Sequence, residues 1–243
     1  LCVVPIDPEA CAPVLQKARD KGIVVITHEA EGFEACDYDL EAFNNQEYGE
    51  AMMDELAKAM NYEGKYVTMV AFLSSVSHND WMDAAVAHQK EAYPNMELIP
   101  EERLECEDNM NMAYEKAKEI IKKYPDIKGF LGASSYDPPG AAKAIDELGM
   151  TGQIFAVGTG VASVSGPYLE SGSNPCVLCW DPALSGKAMC QLAVMVLNGE
   201  KDKIQTGLDL GIEGYNSVNV NGTDISGNAI LVINKDNMSE YKF

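Results

Sequence analysis

The chain has 243 residues, and 38 acidic against 18 basic side chains give it a formal charge of −20. A field of that sign repels phosphate backbones and anionic lipid, which excludes nucleic acid and charged membrane surfaces as partners. No run approaches the ~18 consecutive apolar residues of a membrane span, so direct membrane insertion is excluded too, and no secretory signal is visible.

An apolar content of 47% is ordinary for a globular protein, and the length suffices for two domains. The seven cysteines, at 2, 11, 36, 106, 176, 179 and 190, are odd in number and scattered, which argues against a disulfide framework. Cys176 and Cys179 have CxxC spacing, but they sit in an apolar run. Residues three apart on a strand point to opposite faces, so a shared metal is not expected there. Unpatterned cysteine use suits a reducing or anaerobic setting.

Residues 1–6 read as a strand. Asp7-Pro8-Glu9 then opens a helix with an N-cap, a first-turn proline and an acid near the positive end of the dipole. Gly22 stops that helix, and residues 23–27 form a β-branched strand. The unit implies a parallel pair with a right-handed crossover. Residues 35–47 carry no apolar period and read as a crossing between domains. Tyr48, Met52, Leu56 and Met60 recur at helical spacing. Strand and helix then alternate: 65–73, 80–93, an extended run 96–104, a helix 109–124, and 126–133, 139–148, 153–157. A final strand, 176–180, precedes a helix over 182–197, and the tail after 203 holds short extended pieces. Alternation of this kind means doubly wound α/β layers. Further crossings at 171–175 and 199–214 give two lobes joined by a multi-strand hinge. The first lobe is residues 1–43 plus 176–203, and the second is 44–175 plus 204–243.

Four apolar runs end in polar clusters. Residues 66–73 run into Ser74-Ser75-Val76-Ser77-His78-Asn79-Asp80-Trp81. Residues 130–132 run into Ala133-Ser134-Ser135-Tyr136-Asp137, residues 154–157 into Gly158-Thr159-Gly160, and residues 176–179 into Trp180-Asp181-Pro182. Ligands of open parallel sheets bind beyond the carboxyl ends of the strands. The pattern therefore points to a scaffold gathering polar groups around a small solute.

Several residues carry a resemblance: Ser74-Ser75 through Asn79 and Trp81, Tyr124-Pro125-Asp126, Trp180-Asp181, and the ending Asn234-Lys235-Asp236-Asn237 with Tyr241-Lys242-Phe243. With the strand–Asp-Pro–helix opening, the chain resembles a type I periplasmic solute-binding protein of the ribose-binding superfamily. It is most similar to Lsr-type autoinducer-2 receptors and rhamnose-binding proteins. The resemblance implies two Rossmann-like lobes with an interlobe cleft. It also implies an ABC permease partner, a monomer, and an extracytoplasmic setting, either the periplasm or the surface of a Gram-positive anaerobe as a lipoprotein. It further implies an upstream strand–helix–strand–helix and an export signal. The first lobe is then incomplete, and the edge at residues 1–6 is expected to be covered by upstream residues or another chain.

In that frame, Trp180 would lay an apolar face on a sugar while Asp181 takes hydroxyls. Glu29 would accept ligand hydroxyls, with His28 before it; read alone, Glu29 is equally a solvated loop acid. Ser77 and His78 stand where Lsr-type receptors carry an Asp and a Gln, a departure from the usual autoinducer-2 contacts, and Asn79 follows them. Ser134 and Ser135 would offer small donors and acceptors. Thr159 would replace part of a lost Asp contact at Gly160. Asp80 is read as the N-cap of the next helix and Trp81 as packing within it. No dinucleotide, P-loop, HExxH or GxSxG motif is present, and the three histidines are far apart, so no cofactor, metal or catalysis is expected. The rival reading is the effector domain of a LacI-type regulator, which has the same fold.

Overall fold

The computed structural model describes residues 1–100 and 102–243, and the chain divides into two compact units. The first is residues 1–44 with 180–230, and the second is 45–179 with 231–243. The chain thus passes between units after Asn44, Cys179 and Ile230. The division read from sequence put residues 204–230 with the second lobe and 176–179 with the first; in the structure each packs with the other unit.

The first unit holds five strands: β1 (Cys2–Val3), β2 (Ile26–Thr27), β3 (Tyr38–Glu41), β10 (Asn219–Asn221) and β11 (Asp224–Ser226). They form one sheet in the order β1-β2-β3-β11-β10. The first four in that order run parallel, and β10 folds back antiparallel through an Asn-Gly hairpin. Helix α1 (Pro8–Arg19) starts where expected, because the Asp7 carboxylate accepts from Ala10 N–H at 3.0 Å. Leu15 and Cys11 pack it onto Val25 and Val3. Among the described residues nothing covers the outer edge of β1, where Leu1, Val4 and Ile6 are 56%, 51% and 87% exposed.

Residues 35–47 hold the crossing expected, since the chain passes between units after Asn44, but they are not without regular structure. They contain β3 and the start of α2 (Asn45–Ala59), and Asp39 through Phe43 are all buried. Acids at alternate positions disguise the strand: Leu40 is the lone aliphatic in Tyr38-Asp39-Leu40-Glu41. Residues 204–230 join this unit because β11 pairs with β3, Ile225 opposite Leu40. Short polar strands of this kind carry little periodicity.

The second unit centres on a parallel sheet built from β4 (Gly64–Val70), β5 (Met96–Leu98), β6 (Leu104–Glu105), β7 (Ile127–Gly132) and β8 (Phe155–Gly158). Their order is β5-β4-β7-β8, with β6 also on β4. A two-stranded piece, β9 (Cys176–Cys179) with antiparallel β12 (Leu231–Asn234), continues from β8 through a bridge between Thr159 and Leu178. Helices α2, α3 (Val76–Ala92), α4 (Met110–Lys123) and α5 (Asp137–Glu147) cover the sheet. The core runs from Val67, Met69 and Phe130 to Ala113, Ala117, Ala141 and Ile145. Alanines at α4 and α5 let those helices approach closely, and Gly140 leaves no room for a Cβ against Met110 O.

Helix α3 begins at Val76, four residues before the expected start, with Ser75 rather than Asp80 at its N-cap position. Asp80 therefore lies in the helix. Trp81 packs as expected: it is buried, donates from Nε1 to Asn45 Oδ1 at 2.7 Å and meets Tyr48 edge-on. Helix α6 (Ala162–Ser171) was hidden by Gly166 and Pro167, which its interior tolerates. Helix α4 is capped by Asn109, whose Oδ1 accepts from Asn111 and Met112 N–H at 2.9 and 3.2 Å. Asn109→Ala should cost about 1 kcal/mol in chemical denaturation; no loss would show the cap to be idle. Helix α7 (Pro182–Leu197) belongs to the first unit and packs on β1, β2 and β3.

Candidate functional site

In each unit the polar clusters lie where the sheet geometry puts them, at the carboxyl ends of parallel strands. In the first unit β2 ends in Thr27-His28-Glu29. Glu29 has φ 60, a left-handed conformation costly for a residue with a Cβ. Its carboxyl is pushed up to about 7, first by burial and then by the negative charge of Asp39. His28 is buried, its Nδ1 lies 2.5 Å from Leu40 O, and burial depresses its pKa so that the ring is neutral. Trp180 is half-buried and is met edge-on by His28 at 5.9 Å and Phe43 at 5.3 Å between centroids. His28 and Trp180, far apart in sequence, are thus neighbours.

Asp181 has a structural duty. Its Oδ1 accepts from Ala183 N–H at 2.8 Å and Leu184 N–H at 3.3 Å, capping α7. Pro182 at the first helical position belongs to the same signal. One carboxylate oxygen is therefore committed to the helix.

In the second unit the loops after β4, β6 and β7 meet. His78 takes Ala71 N–H on Nδ1 at 3.3 Å, and burial lowers its pKa to about 4, so at neutral pH Nε2 carries the proton. His78 stacks obliquely on Trp81, with centroids 5.3 Å apart. The Ser134 hydroxyl lies 2.5 Å from Asp108 Oδ1 and accepts from Tyr136 N–H at 3.2 Å. Asp137 is fully buried, accepts from Ser134 N–H at 2.9 Å, and is pushed up to about 7 by burial. Ser135 is partly exposed beside it.

Three expected contacts sit differently. Asn79 is consumed locally: Nδ2 donates to Leu73 O and Ser75 O, and Oδ1 accepts from Arg103 at 2.7 Å. Ser77 is buried in the first turn of α3. Thr159 is corrected: its hydroxyl points into the interior, 3.0 Å from Tyr48 Oη, and Tyr48 donates on to Leu178 O. The register of β8 turns that side chain towards α2. Asp108 was missed. It stands at φ 49 beside Glu107 at φ 53, and two successive left-handed residues with side chains have no signature in sequence.

Among the described residues no group of three or more His, Cys, Asp or Glu side chains is arranged to hold a metal ion. Among them, too, no helix is long and apolar enough to cross a membrane.

A family described as "Periplasmic binding protein domain" matches residues 1–201. Among solved structures, the chain is similar to LsrB from Clostridium saccharobutylicum in complex with AI-2, at 18% identity and TM-score 0.84, covering 100% of this chain and 81% of that one. It is also similar to an ABC transporter solute-binding protein from Clostridium phytofermentas with bound L-rhamnose, at 19% identity and TM-score 0.83, covering 96% and 76%. A third is an ABC transporter solute-binding protein from Agrobacterium vitis bound with α-D-tagatopyranose, at 21% identity and TM-score 0.79, covering 98% and 76%. At these identities the likeness shows the fold.

Proposed function

Because the chain belongs to the periplasmic binding protein domain family, we propose that it is the extracytoplasmic solute-binding component of an ABC importer, taking a small sugar or sugar-like furanosyl molecule. The observation that carries this reading is the setting of Trp180. A half-buried indole braced on edge by His28 and Phe43, at the end of a strand, is a platform for the C–H face of a sugar ring. Glu29 in the same unit supplies an acceptor for hydroxyls. From the second unit, His78 supplies a neutral N–H donor, while Asp108 and Ser134 supply oxygen acceptors. A ligand that engages both sets shifts a hinge equilibrium towards closure, the form a permease partner would recognise. The sugars named in the related structures support the ligand class. The Ser77-His78 pair, in place of the Asp and Gln of Lsr-type receptors, favours a sugar over autoinducer-2.

The test is a thermal-shift screen against pentoses, hexoses, deoxysugars, polyols and autoinducer-2, because a ligand that binds only the folded state raises its midpoint. One sugar should give a clear rise, and Trp180→Ala should weaken its Kd by 10-fold or more in calorimetry. Unchanged affinity would remove Trp180 from the site, and a flat screen would overturn the sugar reading.

A further inference from the structure

Asp39 and Glu41 alternate along β3 and project onto one face of the sheet of the first unit. The register sets Thr27 of β2 and Asp224 of β11 on either side of Asp39, with Ser226 beside Glu41. Asp39 is fully buried and Glu41 nearly so. Neither carboxylate oxygen of Asp39 has a partner of good hydrogen-bond geometry, although the Thr27 hydroxyl beside it favours its ionised form. The side chains that act on Asp39 at hydrogen-bonding range are the carboxyl of Glu41 and the hydroxyl of Thr27. Glu41 Oε1 accepts from Ala30 N–H at 3.0 Å, and Oε2 lies 3.9 Å from His28 Nδ1. His28 offers no charge there, since burial keeps it neutral and Nδ1 is bound to Leu40 O.

The surrounding titratable groups do not neutralise the pair. Asp224 and Glu31 act on Asp39, and Glu29 acts on Glu41. Tyr215 faces Glu41 with its hydroxyl bonded to Ser185 of α7. Cys36 faces Asp39, and the Arg19 guanidinium of α1, which reaches that thiol, is held by Asp37 and Glu34 O. Two bare carboxylates on one face of a buried strand repel strongly, whereas a single proton shared between them turns the repulsion into a hydrogen bond.

We propose that Asp39 and Glu41 form a carboxylic acid–carboxylate pair holding one shared proton at neutral pH, and that this proton makes the adjoining Glu29 corner respond to pH. The connection is the loop from His28 to Cys36. It is fastened to the sheet by Ala30 N–H on Glu41 and by Gly32 N–H on Asp224 Oδ1 at 3.0 Å, and Glu29 stands just before the first fastening. Loss of the proton puts a second charge under the loop, and the charge is relieved when the loop lifts and admits water. The second half of the proposal rests on the sugar reading above, the first half does not.

The decisive measurement is infrared spectroscopy of the full chain at pH 7, comparing wild type with Glu41→Gln and Asp39→Asn. Each variant should lose one protonated carboxyl from the spectrum. Glu41→Gln, whose amide can donate to Asp39, should also unfold at a midpoint that falls less between pH 6 and pH 8.5 than that of wild type. Should Glu41→Gln not fold, Asp39→Asn reads the same band. A spectrum unchanged by either substitution would overturn the shared proton. With a sugar identified, its Kd in wild type should weaken several-fold from pH 6 to pH 8.5 and should change clearly less in Glu41→Gln. A level wild-type profile would overturn the coupling. The spectrum decides the pair even if no sugar binds.

Discussion

Gly158→Ala should unfold the second unit or leave it barely stable, at a cost on the order of 4 kcal/mol or more, far above the usual range for one methyl group. Gly158 closes β8 at φ 146, a conformation that residues with a Cβ rarely adopt. A Cβ there would fall 1.9 Å from Gly132 O and 2.8 Å from Gly132 N, both backbone atoms that cannot move aside. The same contact seats Thr159 N–H on Gly132 O at 2.9 Å, so the two strand ends beneath Ser134 and Asp137 are locked together. Gly166→Ala is the control. It lies in α6 with nothing within 4 Å of a new Cβ, and should be neutral or stabilising by up to about 1 kcal/mol. Urea denaturation of both variants decides the matter. Near-wild-type stability of Gly158→Ala would mean that β7 and β8 are not in such close contact.

Stability should fall as pH rises from 5 to 8, and Asp137→Asn should remove a large part of that fall. Asp137 is pushed up to about 7 in the folded protein, against an ordinary 3.8, by its complete burial. A carboxyl whose folded pKa lies above its unfolded one binds its proton more tightly in the folded state. Its contribution is then full below the unfolded pKa and is lost as pH climbs through the folded value, here between about 4 and 7. For Asp137 the loss is on the order of 4 kcal/mol. Glu29, held at about 7 by burial and by Asp39, pushes in the same direction. Asparagine preserves the acceptor for Ser134 N–H and carries no proton to lose. Denaturation curves of wild type and Asp137→Asn should therefore lie closest below about pH 4, already part at pH 5 and be furthest apart by pH 8, with the variant the more stable. Parallel curves would show that Asp137 is ionised throughout. The net charge of −20 tilts both proteins alike, so the comparison isolates the one residue.

The legible parts of the fold were those with strong local signals. Asp7-Pro8 announced α1 by its cap, whereas α4 and α7 were bounded without the caps that Asn109 and Asp181 make. Each cap is a side chain bonding backbone N–H groups within three residues of itself. The aliphatic runs of β4, β7 and β9 stood out because strands buried on both faces read as continuous apolar stretches. Strand β3 did not, since two of its four residues are acids, buried by their place in the sheet. The same local rule misled at Asp80, a sound cap residue that lies four residues inside α3. Residues 204–230 gave no sign of their unit, because β11 joins β3 by a pairing that spans most of the chain.

The sequence alone determined the class of the molecule: alternating strand and helix, strand ends loaded with polar residues, and a charge that repels anions. It also put His28, Glu29, Trp180, His78 and Ser134 just beyond strand ends, since that position is set by the order of elements. Only the tertiary structure decided what each side chain does. Asp181 caps a helix, Asn79 is tied into its own loop, Thr159 bonds Tyr48 in the interior, and Asp108 stands by Ser134. The difference is physical. Caps and apolar periods act over a few residues, whereas the direction of a side chain and the proton on a buried acid depend on neighbours that strand register brings from distant parts of the chain.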